Sequence, residues 1–96
     1  MNAVIYKNPL SLEGQDIKEV VMPVGANVLT AQMQGGILCL WALVPATRSI
    51  VPDETRRFLV IGTGHAFPER PERYIGTVQL MGGALVLHVF DLDRVR

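Results

Sequence analysis

One cysteine, Cys39, is all the chain has, so no internal disulfide can form and a reducing, cytoplasmic setting is the expectation. Neither sign of charge is in excess: nine Lys and Arg stand against nine Asp and Glu. Without a basic surplus, nucleic acid and anionic membrane are not expected partners, because both are recognised through a positive field. A neutral chain also lacks the self-repulsion that keeps copies apart, which favours a homo-oligomer. Long hydrophobic runs are missing too. The longest, residues 37–44, has eight members, whereas a membrane helix needs about 20. Residues 1–10 are too short and too polar for a secretory signal. No stretch shows the amphipathic period of a helix of ten or more residues.

What remains is rich in apolar residues. With 49% hydrophobic content over 96 residues, the chain reads as one globular domain, residues 1–96, able to bury a core. Charge is distributed unevenly: no ionised side chain lies between Glu19 and Arg48, or between Arg73 and Asp91. Each uncharged window contains a diglycine. Residues 28–44 (VLTAQMQGGILCLWALV) and residues 75–91 (IGTVQLMGGALVLHVFD) lie 47 positions apart and share six of 17 aligned residues.

Apolar residues on both arms of a Gly-Gly turn predict a β-hairpin, and a two-residue loop fixes its register. In the first hairpin Met33 faces Leu38, Ala31 faces Leu40 and Leu29 faces Ala42 on a wholly apolar side. Gln32/Cys39, Thr30/Trp41 and Val28/Leu43 make the mixed side. In the second, Leu80/Leu85, Val78/Leu87 and Gly76/Val89 face the core, with Gln79/Val86, Thr77/His88 and Ile75/Phe90 behind. Trp41 and His88 thus hold matching places, each across from a threonine. Further strands are expected at residues 3–7, stopped by Asn8-Pro9 because proline removes a ladder donor, at residues 16–22 as an edge strand, and at residues 54–62. The fold class is all-β: a compact antiparallel sandwich or small barrel of about seven strands built on two hairpins.

Few residues could carry chemistry. Gly62, Thr63, Gly64 and His65 follow a strand, but Ala66-Phe67-Pro68 supplies neither a third glycine nor a helix, so the dinucleotide fingerprint does not apply. Exposed N–H groups of that turn, with Arg56, Arg57, Arg70 or Arg73, could still hold a small nucleotide or other anion. The plainer reading is a glycine-rich turn. His65 and His88, with Cys39, Asp91 and Asp93, show no metal-ligand spacing, so neither metal nor cofactor is expected. Cys39 in an apolar strand reads as a small buried hydrophobe, and Asp91 and Asp93 as a solvated tail. No arrangement suggests catalysis. Trp41, Leu43, Ile37, Val86, Phe90 and Tyr74 are too many apolar groups to leave wet on one surface. Either a second sheet covers them or they form an interface, homo-oligomeric or with another protein.

The segments YKNPL, MPVGANVL, LCLWALV, RRFLVIGTGH, YIGTVQ and LVLHVF together resemble a family of small proteins of unknown function encoded by tailed phages and prophages. The resemblance spans residues 6–90. Two positions depart from its pattern: Met22 stands where that family has leucine, and Leu87 where it often has an aromatic residue. The resemblance implies a non-enzymatic accessory protein that binds and blocks a host protein, for example a bacterial immunity effector, in the host cytoplasm. A minor virion or assembly component is the alternative structural role. It carries over no catalytic residue.

Overall fold

The computed structural model describes residues 2–46 and 50–93, and each diglycine stretch folds back on itself as a hairpin. Among these residues seven antiparallel strands follow in chain order: β1 (Ala3–Leu10), β2 (Ile17–Pro23), β3 (Asn27–Gln34), β4 (Ile37–Pro45), β5 (Asp53–Gly62), β6 (Arg73–Leu80) and β7 (Leu85–Asp91). They form a three-stranded sheet, β1-β4-β3, and a four-stranded sheet, β2-β5-β7-β6. The all-β expectation holds, as a sandwich of two open sheets and not as a barrel. The connection expected over residues 45–52 falls partly on residues 47–49, which lie outside the described residues. No helix among the described residues is long and apolar enough to cross a membrane.

Strand alternation decides what meets in the middle. Leu38, Leu40, Ala42 and Val44 of β4 pack in one cluster with Phe58 and Val60 of β5, Val78 of β6 and Val89 of β7. Leu38 and Leu40 are fully buried, as the uncharged alternation predicts, whereas Leu85 and Leu87 are half-buried. Among the described residues the fully buried charges are two, and they form an ion pair. Arg56 of β5 and Asp91 of β7 are each 1% exposed and bonded at 2.7 Å. The other guanidinium arm donates 2.8 Å to the Ala26 carbonyl and lies 3.7 Å from Met22 Sδ. The charge centre stands 5.7 Å from the Phe58 ring. Two sequence expectations fail here: Arg56 is not a surface anion ligand, and Asp91 is not a solvated tail. Each supplies the charge that makes burial of the other tolerable.

The sandwich is closed on one side. Strands β3 and β6 run so close that a Cβ on Gly76 would meet the Ala31 carbonyl oxygen at 3.2 Å, and Arg73 donates 2.6 Å across the gap to the Val28 carbonyl. Both strands carry a bulge at this edge, at Leu29 and at Ile75. An extra residue shifts every pair beyond it. The expected Leu29/Ala42 and Val28/Leu43 pairs are replaced by Val28/Ala42 and Asn27/Leu43, and Ile75/Phe90 by Tyr74/Phe90. Val28 and Ile75 turn inward as a result, while Leu29 and Tyr74 face water.

The two turns also differ. Gly35 and Gly36 sit at φ +56° and +79° between the pair Gln34/Ile37, the two-residue loop expected. In the second hairpin pairing stops at Leu80/Leu85, so the loop has four residues around a single 3₁₀ turn, Met81–Gly83.

Strand β1 does not stop at Asn8-Pro9 but runs on to Leu10. The Ala46 amide donates to the Asn2 carbonyl in the same register that pairs Ala3 with Pro45. Antiparallel ladders bond at every second pair, so the even residues of β1 bond β4 and the odd ones point their peptide groups outward. Pro9 is odd, and the missing N–H is one that β4 never asks for.

Candidate functional site

The outer face of the four-stranded sheet gathers most of the polar and aromatic residues singled out in the sequence. Alternation turns Leu59 and Ile61 of β5, and Val86, His88 and Phe90 of β7, away from the core, while Thr77 and, through the bulge, Tyr74 join them from β6. Residues 63–72 fold back across this face. Phe67 meets Phe90 edge-on at 5.0 Å, and Tyr74 meets the same ring at 5.5 Å. Leu92 closes over Leu59 and Ile61 in a second small cluster that Ile17 and Phe90 flank.

Arg57 staples this cover down. Its guanidinium reaches Glu69 at 2.9 and 3.2 Å and Asp93 at 3.1 and 3.2 Å. The Arg57 amide also donates to the Asp93 carboxylate at 2.7 Å. Hydrogen bonds from Glu69 first and Asp93 second raise the guanidinium above its ordinary value, so it stays charged at any accessible pH. Arg57 is thus engaged by two carboxylates where the sequence suggested an anion ligand.

His88 is the hub of a hydrogen-bonded line. Its Nε2 lies 2.7 Å from Thr63 Oγ1 and its Nδ1 3.0 Å from Thr77 Oγ1. Thr77 Oγ1 in turn lies 2.6 Å from the Tyr74 hydroxyl. Hydroxyls donate or accept as needed, so this line accommodates either tautomer and the protonated ring. Where an acyl-transfer site sets a carboxylate behind Nδ1, this one has the neutral Thr77 hydroxyl, which offers an imidazolium no counter-charge. The line is suited to holding a tyrosine and an imidazole in place.

The glycine turn divides its residues between two sides. Its closing bond runs from the His65 amide to the Gly62 carbonyl, 3.2 Å, with Gly64 at φ +88°. Thr63 goes outward to His88. The His65 ring goes the other way, its Cε1 3.3 Å from where a Gly62 Cβ would point, on the side of Phe58 and Val60. Gly62, Thr63, Tyr74 and His88 are therefore brought together, whereas His65, Arg56 and Trp41 are not. An anion at residues 62–65 would find Arg56 sealed in the core and Arg57 already paired.

Trp41 lies on the far side of the molecule, on the outer face of the three-stranded sheet beside Leu43, Cys39 and Ile37. Lys7 Nζ stands 6.0 Å above the indole and bonds Gln34 at 2.8 Å. The expectation that a second sheet covers this row fails: both sheets turn such rows outward. Phe67, the aromatic that completes the site, is not among the binding residues the sequence suggests, and its one signal is a ring inside an otherwise polar, proline-rich connection.

Neither a curated protein nor a solved structure matches the chain. The family described as domain of unknown function DUF7352 matches residues 1–96, the whole length, and the chain belongs to that family.

Proposed function

We propose that this is a non-enzymatic binding protein, an accessory factor of a phage or prophage, that holds and blocks a host protein through the Tyr74–His88–Phe67 face. The phage setting rests on the resemblance of its segments to small phage proteins. The binding role rests on one observation: Tyr74 is exposed, yet its ring is packed on Phe90 and its hydroxyl is bonded to Thr77. A tyrosine fixed this way presents apolar area and a polar handle with little entropy left to lose on contact. Phe67, exposed beside it, enlarges the aromatic area, and such residues dominate protein contacts.

Affinity capture from a bacterial host lysate tests the reading. The wild-type chain retains one host protein at stoichiometric yield, and Tyr74→Ala with Phe67→Ala loses it while Ile37→Thr on the opposite sheet keeps it. Equal capture by all three, or no retained protein from any host, overturns it.

A further inference from the structure

The four edge strands are not equally protected. Strands β3 and β6 close on each other. Strand β2 carries Lys18 and Glu19 and ends in Pro23, the sort of charge and proline that blunts an edge. Strand β1 has neither defence along its first four residues. Its pairing with β4 runs unbroken from Ala3 to Leu10. Its single charge, Lys7, is folded back onto its own sheet by Gln34 and Trp41. Its side chains are apolar and exposed on both faces: Val4 38%, Ile5 58% and Tyr6 43%.

From this we infer that β1 is a homodimer edge, pairing antiparallel with β1 of a second copy to make one six-stranded sheet. The self-complementarity is specific. The outward peptide groups belong to odd residues, and a two-fold axis at Ile5 sets odd against odd. Ile5 then exchanges bonds with Ile5 of the second copy, and Ala3 with Lys7, about six ladder bonds in all. Val4 faces Tyr6 on the inner side, where both are exposed in the single chain. This register keeps the two Lys7 side chains apart and leaves Pro9 beyond the paired segment. An axis at Lys7 would bring like charges together. The neutral chain opposes none of this. The dimer edge is independent of the Tyr74 face and neither uses nor covers it.

Light scattering on the full chain at tens of micromolar tests it. The wild type gives twice the 10.6 kDa chain mass. Ile5→Pro removes the outward N–H at the axis while sparing the bonds to β4, just as Pro9 does, and gives a monomer with an unchanged far-UV spectrum. If that variant unfolds, Ile5→Lys, which sets two charges across the axis, gives the monomer. Ile37→Thr stays dimeric. Register is read by cross-linking: directly paired Cα atoms stand about 5.5 Å apart, within disulfide reach. Ile5→Cys therefore oxidises to a linked dimer and Lys7→Cys does not. A monomeric wild type, a dimeric Ile5→Lys, or cross-linking through position 7 in place of 5 overturns the proposal.

Discussion

The two hairpins, β3–β4 and β6–β7, share six residues, a diglycine, the same register from the turn back to Thr30/Trp41 and Thr77/His88, and a bulge in the first arm, yet they end up in different surroundings. Behind β4, Trp41 is half-buried with Lys7 Nζ 6.0 Å above its ring. Behind β7 lie residues 63–72 and Leu92, so that His88, at the matching position, is wired into three hydroxyl-bearing residues. Inside, the last matched pair is Val44 and Asp91. Both are buried, one among methyl groups and the other against Arg56. A repeated pattern thus determines pairing and facing, but what a strand meets on either side depends on parts of the chain that do not repeat.

Breaking the buried pair should separate the hairpins most. Asp91→Ala strands the Arg56 charge in the core and is expected to cost about 3–5 kcal/mol in urea unfolding. Val44→Ala, the same truncation at the matching place, should cost about 2 kcal/mol for a lost transfer term and a small cavity. Replacing both charges, Arg56→Met with Asp91→Val, is expected to recover most of the loss, since an apolar pair of similar volume needs no partner. Equal losses for the two single variants would show that Asp91 acts by size alone.

Gly76→Ala comes next. Its methyl would sit 3.2 Å from the Ala31 carbonyl, and forcing β3 and β6 apart should cost about 1–3 kcal/mol. Leu29, at the matching position, is exposed, and Leu29→Ala should change stability by less than about 0.5 kcal/mol. The turns give the smallest difference. Gly35→Ala and Gly82→Ala each place a methyl at positive φ with open space around it, a strain of about 1 kcal/mol. Thermal midpoints of the two variants should therefore fall together. A much smaller shift for Gly82 would mean that the four-residue loop relaxes where the tight one cannot.

How legible this was in the sequence follows from the same contrast. Leu38 and Leu40 could be placed in the core because alternation in an uncharged window has one physical meaning. The bulges could not be read, since Leu29 and Ile75 look like any other strand residues and are displaced by the approach of β3 to β6. Arg56 and Asp91 look like surface charges in the sequence because their partner is 35 positions away and only the fold introduces them. Pro9 looks like a stop because a lost donor matters on one side of a strand and not on the other, and which side faces solvent is a tertiary fact. At the site, His88 opposite Thr77 follows from hairpin register, but its second bond, to Thr63, depends on where β5 lies.

Strand β5 has its own consequence for how the molecule opens. Four consecutive residues, Phe58 to Ile61, are buried because the core covers one side and Leu92 with Ile17 and Phe90 the other. Hydrogen-bonded neighbours flank it on both edges. In deuterated water the label should enter the amides of Val60 and Ile61 last of all, only when the whole domain comes apart.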